Sequence, residues 1–257
     1  MEKIMSTVGL RLVVLVLSFF ILTCSSSLAQ EGRAEEINGY INTIQTGSVT
    51  HKIKAAKEIT NSGLNDTRLF DVVEKELKDG FQAASGRVHI DYMSWLCKAL
   101  ASSGLSQYKG TIEHVAQNTA SSKLQRYAQQ SLDLFDEYAA RNEIMNQNSA
   151  AFENKSPEVV RLINMINSNM MDLKRDAAKE ITRGMYKDRD LYEAVNQELL
   201  NGYSDASDNL AIDTMSWLCK ALGSSGDAKY KETLQKVKKS ESSKLAKYAG
   251  QGYDMLP

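Results

Sequence analysis

Three polar side chains recur with one spacing around two copies of the same octamer. The octamer MSWLCKAL begins at Met93 and again at Met215. Around each copy an aspartate, a serine and a lysine stand at positions i, i+3 and i+7, a spacing that predicts one polar stripe opposite the apolar face of a helix. The residues are Asp91, Ser94 and Lys98 in the first copy, and Asp213, Ser216 and Lys220 in the second. Such a stripe can bind a partner, and the alternative is a solvated face or an ion pair that fixes helix stacking.

The histidines, cysteines and serines of the sequence form no motif that predicts catalysis or metal binding. The histidines are His51, His89 and His114. The chain has no HExxH and no CxxC motif, which are the common metal and redox signatures. No serine is marked as a nucleophile, although a catalytic triad can assemble from distant positions. We therefore expect no catalytic residue, no metal and no cofactor, and keep an enzyme as the last alternative.

The N-terminal residues 1–29 predict a signal peptide. Lys3 and Arg11 precede the apolar run LVVLVLSFFIL, which is shorter than the about 20 residues that a membrane span needs. Small residues before Gln30 predict cleavage after Ala29. The alternatives are a lipoprotein modified at Cys24 and an uncleaved anchor. The mature chain is then periplasmic or secreted and has no transmembrane span.

Cys97 and Cys219 occupy equivalent positions in the two octamers. Two cysteines in an exported protein suggest a disulfide. Equivalent points of successive modules are, however, expected to lie farther apart than the about 7 Å that a disulfide can bridge. Apolar neighbours favour small buried side chains instead, so we expect both thiols to be free.

A basic stretch lies near the C-terminus. Between Lys229 and Lys247 there are seven lysines and two glutamates, a net charge of +5. Lys236, Lys238 and Lys239 are predicted to form an exposed patch, with Lys236 and Lys239 on one helical side. Such a patch can hold an anionic envelope polymer or lipid headgroups. The alternative is a capping repeat with a polar outer face, and export argues against nucleic acid.

The octamer is the centre of a longer duplication. Ala55–Gly110 and Ala177–Glu232 share 29 identities in 56 positions without a gap, and SSKLQRYA at Ser121 matches SSKLAKYA at Ser242. An Asn-rich segment joins the copies. The sequence therefore predicts a signal peptide over 1–29, a first module over 30–147 and a second over 148–257.

Each module is predicted to contain about six helices of 11–20 residues. Apolar residues recur at intervals of three and four, as in Leu69, Val73 and Leu77. Helix starts are predicted at the N-caps Asp66 and Asp188 and at the Ser156-Pro157-Glu158 run. Helix ends are predicted at four glycines, which are Gly80, Gly104, Gly202 and Gly226. The octamer predicts a central helix that packs on both neighbours, with Trp95 and Trp217 buried there.

These helices resemble HEAT repeats. Three helical hairpins in a repeat of 122 residues fall within the roughly 40–47-residue period of HEAT and armadillo repeats. The segments IKAAKEITNSG and KRDAAKEITRG resemble the HEAT pattern of a basic residue and two alanines before an aliphatic position. The WLCKAL and SG blocks also resemble those of an exported bacterial family of unknown activity. The resemblance implies an all-α, HEAT/armadillo-like α-α superhelix.

The predicted function follows from export, the repeat and the absence of a catalytic motif. A net charge of −1 indicates no strongly charged partner for the whole molecule. We expect a non-enzymatic scaffold that binds a protein or peptide. The first alternative is a binder of anionic envelope polymer or lipid headgroups through the C-terminal lysines. The second is a HEAT-fold enzyme, although the His-Glu pairs of HEAT-type metal hydroxylases do not occur in this sequence.

Overall fold

The computed structural model describes residues 32–147, 152 and 154–257, and their regular elements are all helical. The predicted all-α class is therefore confirmed. None of these helices is long and apolar enough to cross a membrane. The predicted signal peptide, including Cys24, lies outside the described residues.

The chain divides into two compact units, one containing residues 1–143 and 149–157 and the other 144–148 and 158–257. The boundary at 147/148 stays a prediction. The helices of the first part are α1 (32–46), α2 (Val49–Asn61), α3 (Thr67–Gly80), α4 (Gly86–Ser102), a 3-10 turn (Ser106–Tyr108), α5 (Lys109–Asn118), α6 (Ser122–Asp133) and α7 (Phe135–Met145). Those of the second are α8 (Pro157–Asn167), α9 (Met171–Gly184), α10 (Arg189–Gly202), α11 (Asn209–Gly223), a 3-10 turn (Ala228–Tyr230), α12 (Lys231–Val237) and α13 (Ser243–Met255).

The element order of the second unit repeats that of α1 to α6. Two helices are shorter than the predicted 11–20 residues, since α12 has 7 residues and α5 has 10. Helix α7 was also not predicted, because its weakly amphipathic sequence lies partly in the Asn-rich segment. It docks on α4 through Asn142, whose amide donates to the carbonyl oxygens of Ser102 and Ser103 at 2.6 and 2.7 Å. These bonds satisfy carbonyls that the end of α4 leaves without helical partners.

Local signals in the sequence account for the helix ends. The Asp66 carboxylate accepts from the Arg68 backbone N–H at 2.9 Å, and Asp188 accepts from two backbone N–H groups of α10. Helices α3 and α10 end at Gly80 and Gly202, as predicted. Gly104 follows α4 with a φ of 66°, a conformation that a residue with a Cβ rarely adopts.

The octamer helices are central in their units. Helix α4 packs against α2, α3 and α6, and α11 packs against α9, α10 and α13. In the first unit α2, α4 and α6 thus form one layer, with α3 and α5 behind it. Met93, Leu96, Cys97 and Leu100 are at most 1% exposed. Trp95 and Trp217 are instead half-buried, so the prediction that they are buried is wrong.

One ion pair occurs at the same place in both units. Lys52 of α2 donates to Glu76 of α3 at 2.5 Å, and Lys174 of α9 donates to Glu198 of α10. All four side chains are at least two-thirds buried. Removing one partner of such an ion pair is costly, because the charge of the other partner stays buried without compensation. The pair therefore fixes how each hairpin stacks.

Both octamer cysteines are buried and free, as predicted. Burial raises the pKa of the Cys97 thiol to about 12 and raises that of Cys219 as well. Burial thus favours the protonated thiol at pH 8 and shields both sulfur atoms from reagents in solution.

We expect the thiols of the chain beginning at Gln30 to be protected in the native state. With a chromogenic disulfide-exchange reagent at pH 8, almost no cysteine should react in the native protein. In strong denaturant, both cysteines should react. Native-state labelling as fast as that of free cysteine would contradict the burial.

Candidate functional site

A pocket of about 190 Å³ lies between α4 and α6 of the first unit. Helix α4 contributes Asp91, Ser94, Trp95 and Lys98 to its lining. Helix α6 and the residue after it contribute Tyr127, Gln130, Ser131 and Leu134. The first copy of the predicted stripe thus lines a concave surface together with two aromatic rings.

The charged groups of this pocket are available to a ligand. The Asp91 carboxylate is partly exposed and forms no hydrogen bond or ion pair with any other described residue. The Lys98 ammonium lies 5.1 Å from the centroid of the Trp95 ring, and the Lys57 ammonium of α2 lies 5.0 Å from it. An aromatic face near a cation is a favourable but weak contact where solvent reaches it. The α4–α6 pocket therefore combines an acceptor, a cation and apolar ring surface.

The serines of the stripe are buried, contrary to the prediction of a solvent-facing stripe. Ser94 is 6% exposed and Ser216 is 1% exposed. Each hydroxyl donates to the carbonyl oxygen four residues earlier, Ile90 or Ile212, at 2.7 and 2.6 Å. A short hydroxyl side chain can be buried in a helix in this way, because the backbone supplies its partner. The stripe is consequently exposed only at its aspartate and lysine.

The second copy of the stripe is satisfied within its own unit. The Lys220 ammonium lies 4.1 Å from the Trp217 ring centroid and 4.2 Å from that of Tyr248. Asp213 pairs with Lys244 at 2.8 Å and with Arg175 at 3.9 Å. The hydrogen bond from Lys244 is the main cause that lowers the pKa of Asp213. The same three residue types thus form an internal cluster in the second unit.

The spacing of two helices explains this difference. Gly223 of α11 faces Gly252 of α13, and a Cβ added to Gly223 would lie 2.7 Å from the Gly252 Cα. Such backbone contact brings Tyr248 close to Lys220. The matching positions of the first unit are Ala101 and Ser131, whose side chains prevent an equally close approach of α4 and α6. The α4–α6 pocket is the space that results.

The C-terminal lysines are exposed but differ from the predicted arrangement. Lys236 pairs with Glu232 at 2.8 Å, and Lys238 lies 5.9 Å from the Tyr253 ring centroid. Helix α12 ends at Val237. Lys239 therefore lies in a turn and does not share a helical side with Lys236.

The histidines form no site among the described residues. The His114 ring packs edge-on against Phe81 at 5.5 Å between centroids, and His51 contacts the Ser48 hydroxyl. No group of three metal-ligating side chains comes together in the described ranges. Sequence reasoning missed Tyr127, Gln130, Ser131 and Leu134. The repeated SSKL…YA block was the available signal, because it puts Tyr127 and Tyr248 at equivalent positions.

The chain has only weak similarity to proteins of known structure. No family model and no curated protein sequence matches the chain. The chain is similar to human deoxyhypusine hydroxylase in complex with glycerol, with 11% identity, a TM-score of 0.33, and coverage of 85% of this chain and 83% of that chain. It is also similar to an engineered protein, with 16% identity, a TM-score of 0.32, and coverage of 85% and 95%.

The close contact of α11 and α13 is testable with two glycines of one helix. We expect Gly252→Ala to lower the free energy of unfolding by about 1–3 kcal/mol, since its Cβ would lie 2.5 Å from the Cys219 carbonyl oxygen. Gly250→Ala is the control, because its Cβ would make an ordinary contact at 3.7 Å. It should raise stability by about 0.5–1 kcal/mol. Chemical denaturation measures both, and equal effects would contradict the close approach.

Proposed function

We propose that the protein is an exported, non-enzymatic helical repeat protein that binds a protein or peptide through the α4–α6 pocket. The observation that carries the proposal is the contrast between the units. Asp91 and Lys98 stay available, whereas Asp213 and Lys220 are occupied by neighbours in their own unit. The same sequence motif therefore stabilises one unit and leaves a ligand surface in the other.

The size and lining of the pocket support a side chain as its occupant. A volume of about 190 Å³ is below the about 300–1,000 Å³ of pockets that enclose a small molecule. Trp95, Tyr127 and the partly exposed Leu134 provide apolar surface, and Asp91 and Lys98 can fix a polar end. Interface hot spots are commonly of this kind, with aromatic anchors beside a polar rim.

Site-specific photo-cross-linking tests this function. A cross-linking amino acid replaces Leu134, which is 38% exposed at the edge of the pocket, in the chain beginning at Gln30. The control carries it at the matching position of the second unit, Met255, which is 55% exposed. We expect one protein or peptide from the native envelope to be captured at position 134 only, and Trp95→Ala to reduce its capture. Equal capture at both positions, or none, would contradict the proposal.

The second candidate function is binding to an anionic surface. Its supporting observation is that Lys236, Lys238 and Lys239 are all exposed. Of these, Lys236 is already paired with a glutamate of its own helix. Binding through such lysines is long-range and should weaken as salt screens the charges.

A charge-reversal variant separates the two functions. The triple change Lys236→Glu, Lys238→Glu and Lys239→Glu should alter stability by about 0.5 kcal/mol or less, because the side chains are on the surface. If the lysines bind, the variant should lose sedimentation with vesicles rich in anionic lipid at low salt. The control reverses the exposed Lys75, Lys78 and Lys187, which gives the same net charge. Equal binding by both variants would rule out a specific patch.

A further inference from the structure

A second difference between the units concerns the pair formed by the first two helices. In the second unit Arg161 of α8 is 8% exposed. Its guanidinium donates through both terminal nitrogens to the Glu180 carboxylate of α9, with Nη1 at 3.2 Å from Oε2. A bidentate contact of this kind has fixed geometry and is stronger than a single charged hydrogen bond.

A second carboxylate belongs to the same cluster. Glu158 lies one turn before Arg161 and accepts a hydrogen bond from the Tyr186 hydroxyl. Burial is the main cause that raises the pKa of Tyr186, with Glu158 and Glu180 adding to it and Arg161 opposing it. All three charges therefore act on one phenol. The second unit thus supplies its own arginine, which contacts Glu180, while Glu158 joins the cluster through Tyr186.

The first unit retains the acids and lacks the arginine. The residues 122 positions earlier than Glu158, Arg161 and Glu180 are Glu36, Gly39 and Glu58. A pocket of about 350 Å³ lies here between α1 and α2, and both glutamates line it. A Cβ added to Gly39 would meet no atom within 4 Å. The volume beside this glycine is therefore open where the second unit has a guanidinium.

The remaining lining does not fill or neutralise the pocket. Among the described residues that line it, Lys54 is the cation, and its ammonium pairs with Glu58 at 3.7 Å. The two side chains are 74% and 47% exposed, so this is a solvated pair that holds neither group firmly. Tyr40 and Thr43 of α1 and His51 and Ala55 of α2 complete the wall. Two carboxylates against one exposed ammonium leave the pocket acidic.

We propose that the α1–α2 pocket binds the guanidinium of an arginine side chain presented by a peptide partner, in the position that Arg161 fills in the second unit. The inference rests on the proposed peptide-binding function and names the chemistry that a second part of the peptide presents. Guanidinium fits better than ammonium here, because its planar fork matches a carboxylate with two parallel hydrogen bonds. The Glu180 contact shows this use of the equivalent acid in the same chain.

The test is a titration of the ¹⁵N-labelled chain beginning at Gln30 with the peptide Gly-Gly-Arg-Gly-Gly, followed by NMR at the Gly39 amide. We expect a saturable shift of this amide. Matching peptides with lysine or citrulline in place of arginine should bind at least about tenfold more weakly, since they lack the charged fork. Equal binding of the lysine peptide would overturn the proposal. Equal binding of methylguanidinium would also overturn it, because the occupant would then be a small guanidine.

Matched variants place the binding in this pocket. Gly39→Arg should abolish it, because the new side chain fills the site from within, while Gly39→Ala should keep it. Both variants are followed at the amide of the neighbouring Tyr40, which also lines the pocket. Glu58→Gln should weaken it at least about tenfold, and thermal melting checks that each variant is folded. Unchanged binding by folded Gly39→Arg and Glu58→Gln would overturn the proposal. If arginine binding fails this test but cross-linking at position 134 persists, the arginine site is wrong and the proposed function stands. If arginine binding persists but cross-linking at position 134 is absent, the proposed function is wrong and the arginine site stands.

Discussion

The packing of α4 and α11 on helices at both sides is the constraint on which the rest of each unit depends. A helix with three neighbours has few positions that can change without opening a void or forcing a clash, and either costs about 1–5 kcal/mol. Nearly every apolar position of the octamer is buried, and its serines are buried with backbone partners. The eight residues therefore stayed identical, while the helices around them diverged. The same packing accounts for the burial of Cys97 and Cys219.

Differences in function can then arise only at the edges of this packing. Two residues, Ala101 and Ser131, hold α4 and α6 apart, and their glycine counterparts let α11 and α13 meet. The aspartate, serine and lysine are the same in both units. The small residues at the helix contact nevertheless decide whether the lysine packs between two aromatic rings of its own unit. The α1–α2 pocket follows the same rule, since one glycine in place of Arg161 empties a position between carboxylates. In both cases a side chain of the second unit fills a position that is an open pocket in the first unit.

Much of the fold could be predicted, and the reasons are local. Asp66, Asp188 and Pro157 begin helices through side-chain caps or a fixed φ, and the buried stripe of Leu69, Val73 and Leu77 follows the helical period. The site was only partly predictable. Asp91 and Lys98 were identified by their repeat, but Tyr127 and Leu134 reach the pocket from another helix. The burial of Ser94, and the turn that ends α12 before Lys239, depend on neighbours that spacing along one helix does not specify.

Helix α2 connects the two pockets of the first unit. Lys54 and Glu58 line the α1–α2 pocket, while Lys57, on an adjacent side of the same helix, reaches the Trp95 ring at the α4–α6 pocket. With α2 and α4 packed at about 8–10 Å between axes, the sites are separated by roughly two helix widths, on the order of 20 Å. An extended peptide covers that span with about six residues. One ligand that places an arginine and an apolar side chain at this separation gains from both pockets, because the second contact forms at a high effective concentration once the first is made. Neither pocket then needs to bind tightly by itself.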